Sequence, residues 1–239
     1  MKRKLFGIIV LMLFGSMNVN AEVYYRNNNG LPFTEYQYNA ISDMMSEEIV
    51  HNLKFSEYEM LGIANMTSEN HDYVVRQEET NTRATYYETN CKRIAIGKSC
   101  PGSTCAIAFT TTWKCTPAVK SYDVAGIRLS GTNFSDTSYS SSFTADGTSK
   151  NPSGSRGASN GIGYAYKVPS SGDISYAIVS ANVNKTGAVY ASYQHGVKSM
   201  SLSRALDFTF SATGQGGVFE WGSYDNYFDC MGGVYITLS

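Results

Sequence analysis

Few residues in this chain have side chains that could do chemistry, and they are scattered. The three histidines, His51, His71 and His195, show no metal-ligand spacing. His195 closes the string Tyr190-Ala191-Ser192-Tyr193-Gln194-His195-Gly196, where a predicted strand runs into a turn. An imidazole at such a junction could serve as a general base. With no partner visible nearby in sequence, a hydrogen-bonded structural role or plain exposure is the expectation. A second candidate is Glu220-Trp221-Gly222-Ser223-Tyr224-Asp225-Asn226-Tyr227-Phe228-Asp229. Its hard oxygens could hold calcium, and its rings could stack on a sugar. The spacing is not that of an EF-hand, so a polar turn with half-buried aromatics is the simpler expectation. The binding candidates are therefore His195, Trp221, Tyr224, Asp225 and Asp229. No catalytic residue is assigned, and no metal or cofactor is expected.

Five cysteines follow residue 90: Cys91, Cys100, Cys105, Cys115 and Cys230. Cys100-Pro101-Gly102-Ser103-Thr104-Cys105 reads as two strand ends across a Pro-Gly turn, which makes Cys100–Cys105 the expected disulfide. Cys91, Cys115 and Cys230 then compete for one further bridge. The first four cysteines are separated by eight, four and nine residues. That spacing lacks the C-x-x-C pairing of structural zinc sites. There is no G-x-S-x-G elbow, P-loop, metalloprotease motif or convincing dinucleotide loop. A triad assembled from distant residues would be recognised only by its geometry.

The elements that must position these residues begin after a leader. Lys2, Arg3 and Lys4 precede an apolar run from Leu5 to Phe14, and Val19-Asn20-Ala21 offers small residues at the cleavage positions. This is the layout of a secretory signal over residues 1–21, so a secreted, extracellular protein is expected and disulfides become the natural reading of the cysteines. The leader takes three of the 19 Lys and Arg, leaving 16 against 20 Asp and Glu, a net charge of −4. A nucleic-acid partner is disfavoured by that balance. No later stretch is long and apolar enough to suggest a membrane-spanning helix.

Residues 22–66 read as a short two-helix segment. Phe33-Thr34-Glu35-Tyr36-Gln37-Tyr38 is echoed by Phe55-Ser56-Glu57-Tyr58-Glu59-Met60. Thr34 and Ser56 are the expected N-caps, with Gln37 and Glu59 completing capping boxes. Residues 67–90 are polar, of mixed charge and without periodicity, and read as a linker.

From residue 91 to 239 the pattern changes to short alternating segments between Gly, Ser, Asn and Pro. Strands are expected at 93–96, 106–113, 122–129, 162–168, 174–182, 188–193, 200–202, 207–211, 217–221 and 233–238. Many short strands without intervening helices predict a mainly β chain, an antiparallel β-sandwich with a closed β-barrel as the alternative. The Ser/Gly/Thr-rich stretch 130–161 reads as a long exposed loop or a weak edge hairpin carrying Phe134, Tyr139 and Phe143.

Several of these strings resemble a group of small secreted proteins of Gram-positive bacteria: Ser121-Tyr122-Asp123-Val124 with Gly126, Val189 to His195, Met231-Gly232-Gly233-Val234, and the opening Tyr24 to Gly30. The resemblance implies a bacterial, exported protein and no activity. Three functions compete. The first is a non-catalytic extracellular recognition or structural module whose partner would be a glycan or a protein. The second is a secreted hydrolase with a dispersed site. The third is a membrane-active protein that inserts part of 130–161.

Overall fold

Alternate residues of a strand point to opposite faces, and in the central strands here both faces are apolar. In β4 (Lys92–Ser99), Ile94 and Ile96 enter one hydrophobic cluster while Ala95 enters another. The same split separates Ile107 and Phe109 from Ala108 in β5 (Thr104–Trp113), and Val179 from Ile178 in β11 (Ile174–Asn184). Strands buried on both faces need a cover on each. The chain supplies four layers: helices, a six-stranded sheet, a five-stranded sheet and an aromatic cover. The computed structural model describes residues 22–77, 92–114, 116, 119–170, 174–211, 218–229 and 232–239. The expected leader, Cys91, Cys115, Cys230 and the side chains of Tyr224 and Asp225 lie outside the described set.

The six-stranded sheet runs β3-β4-β5-β11-β7-β8, where β3 is His71–Gln77, β7 Ser140–Ala145 and β8 Thr148–Lys150. The five-stranded sheet runs β15-β12-β6-β10-β9, formed by Val234–Thr237, Ala188–Gln194, Tyr122–Ser130, Gly161–Lys167 and Gly154–Ala158. Every described pairing is antiparallel and both sheets have free edges, so the arrangement is the expected sandwich and not a closed barrel. Its core joins Ile94, Phe109 and Val179 of one sheet to Ile127, Tyr166, Ala191 and Ile236 of the other.

The helical layer opens with a small hairpin of β1 (Tyr25–Arg26) and β2 (Pro32–Phe33), which sequence patterning did not suggest. In α1 (Glu35–Met44), the Thr34 hydroxyl accepts from Gln37 N–H at 3.3 Å, and the Gln37 side chain accepts from Thr34 N–H at 2.9 Å, as its capping box requires. The chain then breaks at Met45, and Ser46 caps a further short helix, α2 (Glu47–Asn52). The expected cap at Ser56 is displaced. α3 (Phe55–Met60) starts after Lys54, whose N–H donates to Glu57 Oε2 at 2.9 Å. Glu57 therefore takes the place expected of Glu59. Ile41, Met44, Leu53 and Tyr58 pack on Ala95, Ala108, Tyr176 and Ile178.

Two further expectations change, and one open alternative is decided. Residues 71–77 of the expected linker form strand β3, paired over its whole length with β4. It is an edge strand with Val74 and Val75 largely exposed, which is why no clear periodicity marked it. Stretch 130–161 takes the edge-hairpin alternative and not the long loop: β7 and β8 pair at the edge of one sheet, β9 lies at the edge of the other, and Phe143 is buried against Tyr166 in the core. A hairpin released for membrane insertion would have to pull that ring out. The strand expected at 200–202 is replaced by a helical turn, α4 (Leu202–Ala205), which Ser201 caps through Arg204 N–H.

The aromatic cover consists of Phe208, Phe219, Trp221 and Phe228 over Val124 and Ala165. Phe219 belongs to β14 (Phe219–Glu220), which pairs with β13 (Thr209–Phe210). Gly126 and Gly163 sit opposite each other in the β6–β10 pair beneath the rings. A Cβ at Gly163 would come within 2.6 Å of Phe208 and 2.8 Å of Phe219, so only glycine lets the rings lie on the strand.

The Cys100–Cys105 disulfide is present and closes the β4–β5 hairpin, with Cys105 fully buried. The loop it closes is short, so the entropic gain is small. Replacing both cysteines by serine is expected to cost about 2 kcal/mol, read as a lower urea midpoint. No change would mean the hairpin is held by its neighbours alone.

Candidate functional site

Inward-facing positions at one end of the sandwich carry polar groups instead of aliphatic ones. Lys92 lies two residues before Ile94, and its register partner Trp113 is the last residue of β5. Asp123 lies two residues before Ala125 on β6, and Tyr193 two after Ala191 on β12. His195 follows β12, and Asp229 lies between the aromatic cover and β15. Both sheets and both loops thus converge on one polar cluster beneath the end of the core.

Its members are hydrogen-bonded to one another. Asp123, at 0% exposure, accepts from His195 Nδ1 at 2.7 Å and Gly196 N–H at 3.1 Å through Oδ1. Its Oδ2 accepts from the Tyr193 hydroxyl at 2.5 Å, which itself accepts from Trp113 Nε1 at 3.0 Å. Burial first, and the Asp123 carboxylate second, hold the Tyr193 phenol well above its ordinary range. Asp229 Oδ1 accepts from His195 N–H at 2.6 Å, and Asp229 N–H donates to His195 carbonyl at 2.9 Å. Asp229 Oδ2 is in contact with Lys92 Nζ. The Trp113 ring lies 5.1 Å from Lys92 Nζ and 5.2 Å, edge to face, from the His195 ring.

An aspartate on imidazole Nδ1 is the arrangement that orients a general base. Here the ring is sealed: His195 is 4% exposed. Its described ring hydrogen bond goes to Asp123. The largest described cavity, about 810 Å³, is lined by Trp113, Met45, Ile49, Thr144 and Tyr176 but not by His195 or Asp123.

The expected binding residues are dispersed. His195 and Asp229 meet, the first buried and the second partly covered, within the polar cluster at the end of the core. Trp221 is 3% exposed, stacked on Phe228 at 4.0 Å with Nε1 donating to Ala205 carbonyl, so it offers no ring face to a sugar. Asp229 turns away from a calcium loop toward Lys92, and no group of potential metal ligands forms among the described residues. The Tyr224 and Asp225 side chains lie outside the described set. Neither Lys92 nor Asp123 was singled out as a site residue from the sequence; the signal was a charged residue in an otherwise apolar strand.

The other buried histidine gives a pH test. His71, on β3 beneath α1, faces the Tyr36 hydroxyl at 3.0 Å from Nδ1 and stacks on Tyr73. Burial lowers its pKa from 6.5 to about 4, against a smaller opposing pull from Asp72. The unfolded chain therefore binds the proton first. The contribution is intact above pH 6.5 and is lost as pH falls toward 4, with an upper bound of about 3 kcal/mol. His71→Gln is expected to flatten the acid limb of stability between those values. An unchanged limb would remove His71 as its cause.

Comparisons with known proteins add little. No family model matches the chain, and no curated protein does. Among solved structures it has a partial likeness to the pilus backbone protein RrgB of Streptococcus pneumoniae. The identity is 12% and the TM-score 0.28, over 41% of this chain and 26% of that one. A second likeness is to AvmM, described as catalysing macrocyclization in alchivemycin A biosynthesis. There the identity is 10% and the TM-score 0.19, over 39% of this chain and 65% of that one. The chain therefore spans about a quarter of the pilus protein and under two thirds of the second, and at these scores neither function transfers.

Proposed function

We propose that the chain is an exported, non-catalytic structural or recognition module. The observation that carries this reading is the burial of the chemically capable cluster. Lys92, Asp123 and His195 are almost wholly buried and, with the partly covered Asp229, bond to one another beneath the end of a sandwich core. General bases act on a proton they can reach, directly or through one water, and a ring sealed this way reaches none from outside. The leader and the Cys100–Cys105 bridge support an oxidising, extracellular setting. The cluster serves to hold two sheets and two loops in register.

The reading is tested with chromogenic ester, peptide and glycoside substrates, comparing the wild type with His195→Ala at a temperature where both are folded. Equal, background-level rates are expected. Turnover that disappears with His195 would restore the hydrolase reading. Retention on a glycan array or on cell-wall material would place the module among recognition proteins.

A further inference from the structure

We propose that Lys92 and Asp229 condense into an amide, an intramolecular cross-link between β4 and the segment that precedes β15. Four observations carry it. The Lys92 amine and one Asp229 oxygen are in direct contact. Both are withdrawn from water, at 2% and 12% side-chain exposure. The second Asp229 oxygen is held at 2.6 Å by His195 N–H, which fixes the carboxyl group against the amine. Among the described residues the ammonium also has few partners. It carries three N–H donors, yet its partners among the described residues are one carboxylate oxygen and the face of Trp113. Two opposite charges in a dry site are costly, and an amide is neutral with a single N–H to satisfy.

The step balances without a co-reactant. One proton passes from Nζ to Oδ2, leaving a neutral amine beside a carboxylic acid. The amine lone pair adds to Asp229 Cγ, and negative charge develops on Oδ1, where the His195 N–H already donates. A second nitrogen proton moves to Oδ2, the C–Oδ2 bond breaks, and Oδ2 departs as water. One proton stays on the amide nitrogen, and Oδ1 remains as its carbonyl oxygen. Fixed contact between the reacting groups replaces a bimolecular encounter, with effective concentrations on the order of 10⁵–10⁸ M for well-oriented pairs.

The bond would tie β4 to the segment leading into β15, residues 137 apart in sequence. Such a tie suits a module exposed to proteases or to pulling, but the chemistry does not depend on that role. Loss of the cross-link would leave the structural reading intact, and hydrolase turnover would not remove the cross-link.

The test is the intact mass of the full-length folded chain, its N-terminus defined by sequencing, after complete reduction and alkylation. A deficit of one water in the whole population is expected, together with a branched peptide joining Lys92 to Asp229 in a digest. Asp229→Asn is expected to form the same bond with a deficit of one ammonia. Asp229→Ala and Lys92→Met are expected to show the masses of their sequences. A cooperatively folding wild type of full sequence mass would overturn the proposal. So would a water deficit that maps to a linear peptide.

Discussion

Asp123→Ala is expected to lower stability by about 3–5 kcal/mol, the effect of removing a buried acceptor that satisfies several donors at once. The carboxylate takes three donors at once: the His195 ring, Gly196 N–H and the Tyr193 hydroxyl. Alanine leaves all three without an acceptor in a site water does not reach, and each orphaned group costs about 1–3 kcal/mol. Asp123→Asn keeps the shape and one acceptor oxygen, so a smaller loss is expected. Tyr193→Phe removes one of the three donors, and its effect should not add to that of Asp123→Ala, because the two share a hydrogen bond. Urea denaturation of the two single variants and the double variant measures this. A loss below about 1 kcal/mol for Asp123→Ala would show that the cluster is not what closes this end of the core.

Glu57→Ala is the second large effect, expected at about 3–4 kcal/mol for loss of a buried charged acceptor with several donors. Glu57 is fully buried between α3 and the six-stranded sheet. Its Oε1 accepts from the Ser149 hydroxyl at 2.8 Å, the Tyr176 hydroxyl at 3.0 Å and the Thr144 hydroxyl at 3.4 Å. Its Oε2 accepts from Lys54 N–H, so the same side chain starts α3 and binds it to the sheet. A six-residue helix has no stability of its own. Loosening is therefore expected to concentrate in the helical layer, and hydrogen exchange should show lost protection across residues 35–66 while the sandwich strands keep theirs. Uniform loss over both would mean that helices and sheets unfold as one unit. Full protection in both would mean that apolar packing alone holds α3.

Local patterns made part of this structure legible. The Thr34–Gln37 capping box and the Cys100–Cys105 bridge need only residues three to five apart, and both formed as read. The principal strands stood out as short apolar segments between turn residues, because the sandwich core covers one face of each and the helices or the aromatic cover take the other. The reading failed where that cover is thin. Edge strand β3 has too little cover to show a pattern, and α4 mimicked a strand through the alternation of Met200 and Leu202. The α3 start was misplaced because Glu57, unlike Glu59, is held inward by hydroxyls from β7, β8 and β11, which no local rule could anticipate.

The sequence by itself determined the class of the fold, its capped helical preface and one disulfide, because these follow from side-chain periodicity and short-range hydrogen bonding. It also singled out His195 and Asp229. Only the tertiary structure decided that they share one buried cluster with Lys92, Asp123, Trp113 and Tyr193, and that Trp221 packs inside an aromatic cover. Those contacts join residues up to 137 apart, and their meaning depends on burial. A histidine or a lysine is a solvated surface group until the packing of two sheets removes the water around it.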